Sequence, residues 1–122
     1  MGNRWIPGAC AVVLMAGARA WGADGADLGT RIYAERCSPC HGDHGRGDGP
    51  TAPALQPPPR DFGTAAFWKD RSMDGLRTVV KSGKPGTMMP PFEGVLSDTE
   101  IDAVVESLRR FDPTAAAGGS AK

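Results

Sequence analysis

The sequence predicts an all-α domain of three to four helices joined by long irregular loops. Three observations predict it. Apolar residues recur at helical spacing in separate segments, no run alternates convincingly enough to be a strand, and glycine and proline crowd the stretches between. The chain has 122 residues, 17 of them glycine and 11 proline, yet 40% are hydrophobic. That apolar fraction argues against wholesale disorder, and the length leaves room for one domain. A loop-rich domain of this size usually needs a staple such as a disulfide, a metal or a covalent cofactor.

The first helix is expected from Asp27 to about Cys40, with Leu28, Ile32 and Tyr33 in its pattern and Gly29 marking either a weak point or a close helix–helix approach. Residues 42–63 carry Gly42, Gly45, Gly47, Gly49 and Gly63 with Pro50, Pro53 and Pro57-Pro58-Pro59. No regular element fits there, and a structureless loop this long is most simply one that wraps a bound group. A short helix is possible around Ala65–Lys69. Ser72 can cap a helix from Met73 to about Ser82 that Gly83 stops. The last helix has the strongest support. Ser97 and Glu100 form a capping box, and Ile101, Val104, Val105 and Leu108 follow at i, i+3, i+4, i+7, with Phe111 extending the stripe.

Residues 1–20 read as an export signal: Arg4, an apolar run from Gly8 to Ala18, then Ala18-Arg19-Ala20 as a small-x-small cleavage pattern. A retained anchor is the competing reading, but eleven apolar residues fall short of the ~20 that span a bilayer. Cys10 lies too early in the run for lipid attachment and leaves with the signal. Residues 21–27 are then a flexible lead-in, 28–112 the domain and 113–122 a disordered tail. The whole chain balances 14 basic against 14 acidic residues. Loss of Arg4 and Arg19 makes the exported chain weakly acidic, which leaves no basic footprint for nucleic acid.

Two cysteines then remain, Cys37 and Cys40, within Cys37-Ser38-Pro39-Cys40-His41. This C-x-x-C-H is the signature of c-type haem attachment. Two thiols one helical turn apart can add to the two vinyl groups on one edge of the porphyrin, placing the next imidazole, His41, under the iron as proximal ligand. Three other uses compete. Zinc wants about four ligands, and only His44 is to spare. A redox dithiol wants a βαβ setting that is missing, and a plain disulfide accounts for neither His41 nor the loop after it. Further on, Met88-Met89-Pro90-Pro91-Phe92 offers a thioether in a proline-stiffened loop between two helices. Met89 precedes Pro90, which restrains its backbone. It is the candidate second axial ligand, against the plainer reading of a methionine filling the core. Met/His ligation is an electron-transfer pattern. His44, Arg109-Arg110 and the acids Asp98, Glu100 and Asp102 are read as solvated or dipole-complementing residues.

In these motifs the chain resembles a small class I c-type cytochrome, monohaem and periplasmic. The features that carry the likeness are Cys37–Gly42, Gly47-Asp48-Gly49-Pro50 and Gly86–Phe92, followed by the capped helix from Leu96 to Phe111. The resemblance covers roughly residues 28–111. It implies a cytochrome c-like fold around one covalently attached haem c, with Cys37 and Cys40 as attachment points and His41 and Met89 as axial ligands. It further implies crossing of the first and last helices, packing Gly29 and Tyr33 against Leu108 and Phe111, and a carbonyl of Pro50 on the free ring nitrogen of His41. Propionate contacts are not fixed by the pattern; Arg60, Trp68 and Lys84 are the candidates. The implied role is one-electron transfer between a redox donor and an acceptor, not enzymatic turnover. The alternative is a haem c subunit of a membrane-bound oxidoreductase complex, meeting the membrane only through its partners. A haem enzyme or gas sensor would need an open axial site. Intact mass of the exported protein tests the first step: the expected product begins after Ala20 and carries the mass of one haem, and a product that begins at Met1 or lacks haem would overturn the reading.

Overall fold

The computed structural model describes residues 23–115, and the expected signal segment 1–20 and residues 116–122 lie outside them. Five α-helices form among the described residues: α1 (Ala23–Ile32), α2 (Ser38–His41), α3 (Ala65–Trp68), α4 (Met73–Ser82) and α5 (Asp98–Ser107). The all-α class stands. The count exceeds three to four because α2 and α3 are single turns. Among the described residues the only strand-like pairing is an isolated bridge between Glu93 and Leu96.

The expected first helix is longer at its start and divided near its end. It begins at Ala23 rather than Asp27, within the segment expected to be a flexible lead-in, where Ala23 and Ala26 are strong helix formers. It then widens into a π turn over Tyr33–Cys37, where the Ser38 N–H donates to the Tyr33 carbonyl five residues back. Pro39 supplies the reason. It has no N–H for an ordinary helical bond, so it is tolerated only in the first turn of a new segment, α2. This break turns the end of the helix and presents Cys37, Cys40 and His41 together.

Helix starts follow the polar caps. Ser72 Oγ accepts from the Gly75 N–H at 3.0 Å at the head of α4. At α5, Ser97 Oγ accepts from the Glu100 N–H at 3.2 Å while Glu100 Oε1 accepts from the Ser97 N–H at 3.0 Å. The stripe Ile101, Val104, Val105 and Leu108 is buried, with Val105 wholly covered. After Ser107 the helix tightens into a 3₁₀ turn, Leu108–Phe111. Residues 113–115, expected in the disordered tail, open another helical turn, where Asp112 Oδ1 accepts from the N–H and hydroxyl of Thr114 at 2.8 and 2.6 Å.

The core lies where α1 meets α5, and α4 also packs on α5. Gly29 is buried at the crossing, and a Cβ there would overlap the Ala103 carbonyl oxygen and lie 3.0 Å from the Ser107 Cβ. Its nearest partners are thus Ala103 and Ser107, the latter next to the Leu108 that the family likeness implied. Tyr33 does meet Phe111, with ring centroids 5.1 Å apart. Arg110 closes the crossing from outside, its guanidinium 4.8 Å from the Tyr33 ring and donating to Thr30 Oγ1 at 3.2 Å. Exposed ion pairs, Arg77 with Asp102 at 2.5 Å and Lys81 with Asp98 at 3.1 Å, link α4 to α5.

Gly29→Ala is therefore expected to destabilise the fold. Forcing a methyl into this contact costs ~1–3 kcal/mol, against up to ~1 kcal/mol gained in helix propensity. Thermal unfolding should show a lower midpoint, by roughly 4–8 °C per net kcal/mol; an unchanged or higher midpoint would show that the helices can part without penalty.

Candidate functional site

One cavity of about 520 Å³ gathers the residues singled out in the sequence: Cys37, Cys40, His41, Met88 and Met89 all line it. The volume lies within the ~300–1,000 Å³ typical of small-molecule and cofactor sites. Its wall is mainly apolar, with Leu76 and Val80 of α4, Val104 of α5 and Phe62, Phe67 and Phe92 among its lining. Residues 55 and 57–62 supply another stretch of wall, so the glycine- and proline-rich segment does wrap a space.

Both thiols are free and half-buried. Burial pushes the Cys37 thiol up to about 11, the neighbouring Cys40 adding to the shift and Arg110 opposing it. Cys40 Sγ lies 3.2 Å from Thr51 Oγ1, and that hydroxyl donates to the Pro39 carbonyl at 2.7 Å. The loop after α2 is thereby stitched back onto the cysteine-bearing turn. Gly47 serves the same end. Its φ of +75° is reserved in practice for glycine, and its N–H donates to the His41 carbonyl at 2.7 Å.

His41 is enclosed by one segment. The Phe62 ring stacks on the imidazole with centroids 4.5 Å apart and planes 18° from parallel. His41 Nδ1 is 3.2 Å from the Arg60 carbonyl oxygen. Desolvation lowers the imidazole's pKa, the bond to Arg60 opposing it, so the ring is neutral at pH 7. Nδ1 then carries the proton and donates to Arg60, leaving the Nε2 lone pair free for a metal.

The carbonyl partner of His41 is thus Arg60, not Pro50. Pro50 is exposed and does not line the cavity. The tight turns from Gly42 to Gly49, including the bond from the Gly49 N–H to the Cys40 carbonyl at 3.1 Å, carry it past the ring. The chain reaches the imidazole only on its second pass, at 60–62. Of the candidate propionate contacts, Arg60 and Lys84 line the cavity, as do Arg36 and Arg71. Trp68 does not; its indole N–H donates to the Phe62 carbonyl at 2.7 Å. His44 is exposed, as read from its loop. The role of Phe62 was missed, though a single large apolar residue closing a run of proline and polar residues is the mark of a buried anchor.

Met88 and Met89 share the cavity but differ in cover. Met88 is 69% exposed, whereas Met89 is partly buried against the core. The Met89 carbonyl accepts from the Lys84 N–H at 3.2 Å, and its N–H donates to Thr87 Oγ1 at 3.2 Å. The donor set fits a haem: two adjacent thiols, a neutral imidazole oriented by a carbonyl, a thioether and an apolar wall. It does not resemble a zinc or calcium site, and among the described residues no group of three or more His, Cys, Asp or Glu side chains could hold a metal ion.

Residues 24–106 match the family of cytochrome c oxidase, cbb3-type, subunit III. The chain belongs to that family. It is a small class I c-type cytochrome, whose chemistry is electron transfer by haem. Solved structures agree on the fold. "KustC0563 c-type cytochrome" is 28% identical with a TM-score of 0.61, over 69% of this chain and 96% of that one. "c-type cytochrome NirC" is 25% identical with a TM-score of 0.53, over 73% and 92%. A chain of the Kuenenia stuttgartiensis reducing HAO-like protein complex Kustc0457/Kustc0458 has a TM-score of 0.64 at 24% identity, over 74% of this cytochrome. This cytochrome spans only 44% of that chain. Comparison with curated proteins finds no match.

Proposed function

We propose that this cytochrome is an exported one-electron carrier working in the periplasm, with a single haem c bound through Cys37 and Cys40. The convergence of both thiols, His41 and Met89 on one apolar cavity carries the reading. The haem supplies an iron that alternates between ferrous and ferric states. His41 is the proximal ligand, presented neutral and held in orientation by Arg60 and Phe62. Met89 is the second ligand. The Pro90 that follows it and the bonds to Lys84 and Thr87 hold its backbone, so a weak thioether ligand is kept in place at low entropic cost. Apolar residues from α4 and α5 exclude water, which favours electron exchange over chemistry at an open iron.

Donor and acceptor are redox proteins. A second reading, a haem subunit within a membrane-bound oxidoreductase, is favoured by the family's own description. Among the described residues no helix is long and apolar enough to cross a membrane. Isolation from the native host separates the two: recovery as a free haem protein is expected, and stoichiometric recovery with larger subunits would establish the complex.

The ligand assignment has its own test. Met89→Ala is expected to abolish the methionine–iron absorption band, lower the potential and open the iron to added ligands. Met88→Ala should leave the band in place. Loss of the band in Met88→Ala alone would transfer the role to Met88, and loss in neither variant would remove methionine ligation from this loop.

A further inference from the structure

We propose that Trp68 is a positioning residue for His41, acting through the main chain of Phe62. The inference rests on His41 being the proximal haem ligand. The segment 60–62 does two things to the imidazole: the Arg60 carbonyl accepts from Nδ1 at 3.2 Å, and the Phe62 ring stacks on its face at 4.5 Å. This segment belongs to no helix and follows three consecutive prolines, which donate no hydrogen bonds. Its position is fixed at Phe62, where both main-chain groups are committed. The Phe62 N–H donates to the Gly45 carbonyl at 2.6 Å, and the Phe62 carbonyl accepts from the Trp68 indole at 2.7 Å.

The short path from 61 to 68 is built to deliver that indole. Asp61 Oδ1 accepts from the Gly63 N–H at 2.7 Å and turns the chain. Thr64 Oγ1 then caps α3, accepting from the Phe67 N–H at 3.3 Å. The single helical turn brings Phe67 against Phe62, centroids 5.0 Å apart, and sets Trp68 edge-on to Phe67 at 5.1 Å. Arg71 stacks its guanidinium 4.3 Å over the other partner of that edge, Phe67. An indole has one N–H and no acceptor. Spent on the Phe62 carbonyl, it is not free for a haem carboxylate.

The consequence for redox behaviour follows from the His41–Arg60 bond. A carbonyl that accepts from the far nitrogen of a metal-bound imidazole makes the ring a stronger donor, which favours ferric over ferrous iron. Without the indole bond, the carbonyl end of Phe62 is released and the Arg60 carbonyl drifts from Nδ1. The bond weakens and the reduction potential rises.

The test uses the haem-loaded protein with benzothienylalanine at position 68, which keeps the bicyclic shape and replaces the N–H by sulfur; Trp68→Phe is the second variant. The expected result is a higher potential, with the ferric/ferrous ratio at fixed solution potential falling roughly two- to tenfold, tenfold being ~59 mV for one electron. The His41 Nδ1 proton, followed by NMR in the reduced protein, should exchange with solvent faster than in the wild type. Lower thermal stability with wild-type potential and wild-type exchange would overturn the proposal, leaving Trp68 a packing residue. A lowered potential would overturn it too. Failure of the underlying ligand assignment shows separately, as an absence of iron-shifted His41 ring resonances in the oxidised wild-type protein.

Discussion

Where α1 crosses α5, the missing side chain of Gly29 lets the helix backbone rest on the Ala103 carbonyl, and the aromatic column that ends on His41 begins from that contact. One turn beyond Gly29, Tyr33 is 1% exposed and packs on Phe111. Phe111 in turn faces Phe62 at 6.3 Å, with planes 25° apart, and Phe62 stacks on the imidazole. The Tyr33 hydroxyl donates to the Gly42 carbonyl at 2.6 Å, directly after His41. A wider crossing would move Phe111 away from Tyr33 and loosen both ends of this column. The geometry around His41 thus depends on a contact between two helices as well as on its immediate neighbours.

The relative weights of the other interactions follow from their exposure. Burying a Val, Leu or Ile side chain contributes ~1.5–3 kcal/mol, and α5 buries Ile101, Val104 and Val105, with Leu108 just beyond its end. The ion pairs between α4 and α5 are partly or wholly exposed, where water and salt screen them. They fix which faces meet, while the apolar stripe supplies the holding energy. At Tyr33 burial and charge mostly act together. Desolvation raises its pKa, with Cys37, Asp43 and Asp48 adding to the shift and Arg110 alone opposing it, so its hydroxyl remains a donor to Gly42 throughout the physiological range.

Local rules were legible in the sequence wherever a short pattern determines a short structure. The caps at Ser72 and Ser97, the α5 stripe and the grouping of Cys37, Cys40 and His41 all depend on spacing within one or two turns. So does the glycine that permits a close crossing, where the nearest atoms on α5 belong to Ala103 and to Ser107, the neighbour of Leu108. The missed features share a different character. The π turn at Tyr33–Cys37 arises from Pro39 and the need to carry the helix on past it. The Arg60 carbonyl reaches His41 from 19 positions along the chain, past a short 3₁₀ turn at Ala52–Ala54, and nothing in the local composition states how often that chain turns. Pro50 was implied by the family likeness alone; the turns between Gly42 and Gly49 take it elsewhere.

The partner that orients His41 is a peptide oxygen, which every amino acid carries. The side chain at position 60 can therefore drift through evolution without touching that bond, and a motif written in residue types would not record it. What has to be preserved is a length: the number of residues paid out between the Gly47 bond on His41 and the anchor at Phe62. One residue more or fewer in the proline run would shift a different carbonyl to the imidazole and turn the Phe62 ring off its face. In this stretch the gene is free in spelling and strict in metre.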